Sequence, residues 1–151
     1  TATFQMTSLK KLKEIFEINF FSQSVLTQYM VKLMSKQKSG SVVYISSSSA
    51  SDGNEGRSAY SASKSAILSQ SKTLSKELGI YNIRVNAILP GLTDTDMMNQ
   101  NTKEEIIQNV VSNLSLKRIG KPKDVANLAM FLSSDLSSYI TGQEFRVDGG
   151  M

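Results

Sequence analysis

Apolar residues recur at helical spacing through Leu9, Leu12, Ile15 and Phe16, and Thr7 or Ser8 stands before them as a cap. The same period resumes through Val25, Leu26, Tyr29 and Leu33 and stops before Gly40. Asn19 sits between the two halves, where its amide competes with backbone hydrogen bonds and predicts a local bend. The pattern then changes. Ser41 to Ser46 is a short apolar run bounded by Gly40 and a serine cluster, which predicts a buried strand. Ser58 to Leu78 reads as a long helix closed by Gly79. Ile83 to Leu89 gives a second strand, ended by Pro90-Gly91. Lys121-Pro122 opens a further helix with Val125, Leu128, Ala129 and Leu132 facing inward, and Phe145 to Val147 gives a last strand. No repeat and no long linker interrupts this order.

Composition adds bounds. The chain has 151 residues, 40% of them hydrophobic, enough for one domain with a core. It has no cysteine, which excludes disulfides and thiolate metal sites, and no histidine, which removes the commonest metal ligand and the usual catalytic base. No metal site is expected. Proton chemistry would fall to tyrosine, lysine, carboxylates or water. Thr1 to Met6 lacks the charged and apolar regions of a signal peptide, and no run approaches the roughly 18 apolar residues of a membrane span. A cytoplasmic location is the expectation. The net charge of +4 comes with lysines at 10, 11 and 13 and at 32, 36 and 38. Such clusters attract phosphate-rich partners, but these alternate with apolar positions and lack interleaved aromatics, as a solvated helix face does. No nucleic-acid or membrane partner is expected.

The candidate chemistry lies in Tyr60-Ser61-Ala62-Ser63-Lys64. A tyrosine and a lysine four apart on a helix share one face, about one turn apart. A free phenol titrates near pH ~10, too high for efficient proton exchange at neutral pH. An ammonium within roughly 4–6 Å favours the phenolate and lowers that value by about 1–3 pH units. The pair alone also occurs on solvated helix faces. Its setting is informative, because the first strand ends next to Ser47, where parallel α/β sheets place functional groups. Read alone, Ser46 to Ser49 with Ser51 is a flexible low-complexity loop. Gly53 and Gly56 form an isolated pair suited to a turn, and none of the nine glycines makes the Gly-x-Gly-x-x-Gly turn that binds a pyrophosphate at a helix N-terminus.

Asn19, Ser47, Tyr60 and Lys64, then Pro90-Gly91 with Thr93 and Thr95, then Arg118-Ile119-Gly120-Lys121-Pro122 and Asp148-Gly149-Gly150, occur in one order and spacing. In these residues the chain resembles the classical short-chain dehydrogenase/reductase family from about Phe4 to Met151, and within it the beta-ketoacyl-carrier-protein reductases. The resemblance implies an α/β fold, the C-terminal part of a Rossmann-like doubly wound parallel sheet lacking the N-terminal glycine-rich βαβ units. Residues 1–151 would then be a single incomplete domain.

The resemblance implies an NAD(P)-dependent reduction of a ketone, with a beta-ketoacyl thioester as one candidate substrate. Ser47, 13 positions before Tyr60, would donate to the carbonyl oxygen as charge develops. Tyr60 would be the acid/base and also a cofactor contact, and Lys64 would bind the nicotinamide ribose. Asn19 would hold a water through its backbone, the alternative being the kink alone. Pro90, Gly91, the Thr93 backbone and the Thr95 side chain would hold the nicotinamide carboxamide. Asp96 to Leu116 would form a helical flap over substrate, with Met97 and Met98 as apolar lining or loop packing. NADP is favoured over NAD by the subgroup alone. Lys38 falls on a basic position used by an acidic carrier protein, whereas Tyr81 stands where that subgroup has arginine. The helix with the small face Ala59, Ala62, Ala66 and Ile67, and the helix ending near Gln37, would pair with copies from a second subunit in a homodimer or homotetramer, or pack within the chain. The alternative to an enzyme is an inactive fragment that folds and oligomerises but cannot bind nucleotide.

Overall fold

The computed structural model describes residues 3–96, 98 and 103–151. Its elements run α1 (Leu9–Phe16), a π-helical turn (Glu17–Phe21), α2 (Ser22–Gln37), β1 (Gly40–Ile45), α3 (Ser49–Asp52), α4 (Ser58–Leu78), β2 (Ile83–Pro90), α5 (Glu104–Asn113), α6 (Pro122–Ser133) and β3 (Glu144–Val147). The strands form one parallel sheet in the order β1-β2-β3. Gly40 pairs with Ile83 and Ile45 with Ile88, while Ala87 pairs with Glu144 and Pro90 with Val147. The three predicted strands are present, each within one residue of its expected ends.

Alternation along β2 separates the two faces of the sheet. Ile83, Val85, Ala87 and Leu89 join Tyr44 of β1 against Ile67 and Leu68 of α4 and Val31 of α2, with Phe20, Met34 and Leu74 at the margin. Each such fully buried aliphatic side chain stabilises the fold by about 1.5–3 kcal/mol. On the opposite face Arg84 reaches the end of α6, where its guanidinium donates to Leu132 O at 2.8 Å and Ser134 O at 3.0 Å. A cation there satisfies carbonyls that the last helical turn leaves open. Asn86, fully buried, donates to Ile140 O and accepts from the Gln143 N–H. Helices therefore cover both faces.

Local chemistry explains most helix ends. The Ser8 side chain accepts the Lys11 N–H at 3.2 Å and caps α1. Pro122 occupies the first turn of α6, and the Asp124 carboxylate reaches back to the Lys121 N–H at 2.7 Å. α4 ends at Leu78 with Gly79 as its C-cap, as the sequence placed it. Gly79 keeps right-handed helical angles and begins a 3-10 turn to Tyr81, and the reversal is made by Asn82 at φ 57°. Asparagine tolerates that left-handed geometry, so no glycine is needed there.

The helix expected through Val25 to Leu33 forms as α2, with its apolar positions facing outward. Val25, Leu26, Tyr29 and Leu33 lie on its exposed side, and the residues turned inward are Thr27 and Val31. On α4, Ala59 and Ile67 are buried whereas Ala62 is exposed. Within the expected flap, α5 forms and Met98 is buried. Met97 lies outside the described residues.

Candidate active site

The C-terminal ends of β1 and β2 lie side by side. Ser46 N donates to Ile88 O at 2.8 Å and Ser48 N to Pro90 O at 2.9 Å, so the chain beyond each strand leaves the sheet at the same edge. Ser47 sits between these two anchors. The Ser49 N–H donates to Ser47 Oγ at 3.2 Å, and Ser47 O accepts from the Ala50 N–H as α3 begins. That arrangement uses the oxygen of the Ser47 hydroxyl and leaves its proton available to an outside acceptor.

Tyr60 and Lys64 come from the first turns of α4, and the helix brings them together as their spacing predicts. The Lys64 ammonium lies 6.0 Å from the centroid of the Tyr60 ring. Lys64 is buried, and its Nζ donates to Ile45 O at 3.0 Å. The same strand end grips the lysine a second time, because Ser46 Oγ donates to Lys64 O at 2.9 Å. Burial pushes the Lys64 pKa below its ordinary value. Lys64 is thus held against the strand end that leads to Ser47, with the Tyr60 ring beside it.

Asn19 occupies the middle of the π-helical turn, which interrupts the regular helix at the position where a bend was expected. The expected cause was wrong. Its side chain does not compete for its own helix backbone; Nδ2 donates to Ser63 Oγ at 3.1 Å. Ser63 is fully buried, and its hydroxyl passes on to Tyr60 O at 2.7 Å. Widened π turns are frequent at functional sites. Ser63 was given no role from sequence, although it lies inside the Tyr60–Lys64 segment, because neither its burial nor its partner Asn19 is written in the local pattern.

The segment after β2 forms a close turn. Gly91 has no room for a side chain, because a Cβ there would meet the Asp148 Cβ at 2.6 Å. Thr93 Oγ1 donates to Gly91 O at 3.1 Å, and Thr95 Oγ1 donates to Thr93 O at 3.4 Å and accepts the Met98 N–H at 3.3 Å. Thr93 also pairs with Gly120 as an isolated parallel bridge. Pro90, Gly91, Thr93 and Thr95 therefore share the sheet edge with Ser47.

Among the described residues no three acidic side chains gather as metal ligands would, and no helix is long and apolar enough to cross a membrane.

A family described as enoyl-(acyl carrier protein) reductase matches residues 1–151. The 3-oxoacyl-[acyl-carrier-protein] reductase FabG of Thermotoga maritima is 41% identical over 137 residues, covering 91% of this chain and 55% of that protein. The enzyme of the same name from Aquifex aeolicus is 40% identical over 148 residues, covering 98% and 59%. Among solved structures, a 7 alpha-hydroxysteroid dehydrogenase complexed with NADH and 7-oxo glycochenodeoxycholic acid superposes with a TM-score of 0.95 at 34% identity, covering 99% of this chain and 58% of that one. The chain thus spans little more than half the length of these proteins.

Proposed function

The chain belongs to the short-chain dehydrogenase/reductase family, and from that premise we propose that the whole protein is a nicotinamide-dependent oxidoreductase that reduces a ketone to a secondary alcohol. Residues 1–151 are then the catalytic and C-terminal part of one nucleotide-binding domain. The observation that carries this reading is the buried Lys64 ammonium, held by Ile45 O at 3.0 Å and standing 6.0 Å from the Tyr60 ring, at the sheet edge that bears Ser47. A buried lysine without a carboxylate partner is costly to a fold that needs only stability. Its retention is explained by a task.

The residues fit a nicotinamide nucleotide. Lys64 Nζ spends one of its three protons on Ile45 O, leaving donors for a ribose hydroxyl and for the phenol. Gly91 lets the turn pack directly against Asp148, where a side chain would clash. Thr93 and Thr95 lie beyond it on the same turn and would hold the carboxamide. A bound reduced nicotinamide would supply the hydride.

The chain's own groups do the rest. Ser47, with its oxygen fixed by the Ser49 N–H, donates its hydroxyl proton to the substrate carbonyl and stabilises the growing negative charge. Tyr60 delivers the proton that converts this oxyanion into the alcohol. Lys64 holds the phenol's charge balance across that transfer, and Asn19 keeps the Tyr60–Lys64 turn in register through Ser63.

The 3-oxoacyl reductases among the relatives support a 3-oxoacyl thioester as substrate, carried by an acyl carrier protein or presented free. The full-length protein should oxidise NADPH or NADH with acetoacetyl thioesters, and more slowly with simple ketones. Absence of ketone-dependent oxidation with both nucleotides would contradict the assignment.

A further inference from the structure

Away from Tyr60 and Lys64, one cation is engaged on two sides. Arg146 of β3 donates through Nη1 and Nη2 to the two carboxylate oxygens of Asp52 at 2.8 and 2.6 Å, and through Nε to Asp148 Oδ2 at 2.6 Å. Asp52 is the last residue of α3, the short helix that starts two residues after Ser47. Asp148 stands directly against Gly91, and Gly91 N donates to Val147 O at 3.0 Å. The chain end closes the same corner: Gly150 N donates to Asp148 Oδ1 at 3.0 Å, and Ser48 Oγ donates to Met151 Sδ at 3.8 Å. One guanidinium therefore joins the segment that carries Ser47 to the turn that carries Gly91, Thr93 and Thr95.

We infer that Arg146 is a positioning residue: by bridging Asp52 and Asp148 it fixes the Ser47 hydroxyl relative to the turn at Gly91–Thr95. The inference rests on the reaction proposed above. The planar fork of an arginine sets both distance and angle on a carboxylate, which a lysine's point charge does not. Asp52 and Arg146 are substantially solvent-exposed, and exposed ion pairs add little to global stability. The consequence belongs to catalytic geometry. Displacing the oxyanion donor from the hydride acceptor site lowers turnover without loosening the nucleotide.

The test uses the full-length protein, with kcat, KM for nucleotide and thermal midpoint measured together. Arg146→Gln should lower kcat about tenfold while leaving nucleotide KM and the melting point near wild type, since small misplacements act on the chemical step. Arg146→Lys should fall between the two. Asp52→Asn should lower kcat less than Arg146→Gln does, and the double variant should be no slower than Arg146→Gln alone, because both remove one interaction. A kcat within about twofold of wild type for Arg146→Gln, or losses that multiply in the double variant, would overturn the inference. So would a kcat loss that merely tracks a lowered melting point. Tyr60→Phe assayed in parallel separates the two levels. Its retained activity overturns the reaction itself, whereas an inactive Tyr60→Phe beside a fully active Arg146→Gln overturns only the tie.

Discussion

Lys64 is the residue at which folding and chemistry pull in opposite directions. Burial lowers its pKa from the ordinary 10.5, so between the folded value and 10.5 the unfolded chain binds more protons than the native one. Stability therefore rises as pH climbs through that window, and it is lost as pH falls through the folded value. Lys64→Met removes the buried charge. The variant should be more stable than wild type at pH 7 by about 1 kcal/mol in urea denaturation, with the advantage vanishing above about pH 10.5, and it should lose ketone reduction. A destabilised Lys64→Met would refute the trade-off. Sequence spacing alone put Tyr60 and Lys64 on one face, because i and i+4 geometry is local. The Asn19–Ser63–Tyr60 chain was illegible for the opposite reason: its donor and acceptor are 44 residues apart, and no local pattern records which helix faces which.

At the scale of elements, alternation and capping chemistry were readable, and the orientation of whole helices was not. β1, β2 and β3 showed their period or their terminators in sequence, and α6 showed Pro122 at its start. Gly79 closes α4 as read, whereas the left-handed turn at Asn82 that follows had no sequence reading. The α6 cap is a place where electrostatics can be tested. Asp124 is held at a pKa of about 2, first by the Arg118 guanidinium and then by the Lys121 N–H. A lowered carboxylate pKa stabilises the fold above the ordinary value of about 4, and that contribution disappears as pH falls through about 2. Asp124→Asn should accordingly melt below wild type at pH 6, with the two curves converging near pH 2. A difference that persists undiminished at pH 2 would show that the carboxylate charge is not what holds the cap.

At the scale of the molecule, the outer face of α2 is the conspicuous feature. Leu26 is 62% exposed and Leu33 54%, beside Val25 and Tyr29 on the same side. Helical periodicity put these residues on one helix, and the family resemblance paired the helix ending near Gln37 with a second subunit. A stripe of this kind marks an association surface, and the homodimer or homotetramer expected from the family resemblance would cover it. Leu26→Asp combined with Leu33→Asp in the full-length protein should shift sedimentation toward the monomer; an unchanged assembly would place the interface elsewhere.

The α/β class was legible from the strand and helix patterns, while the sheet's partial extent was legible from the glycine turn the sequence lacks and agrees with relatives of which the chain covers 55% and 59%. The account as a whole turns on one oxygen atom. Tyr60→Phe removes the phenolic hydroxyl and little else from the site. In the full-length protein it should leave nucleotide binding intact and reduce ketone turnover by about 10²–10⁴-fold, the range for loss of a positioned acid. Wild-type turnover in Tyr60→Phe would contradict it.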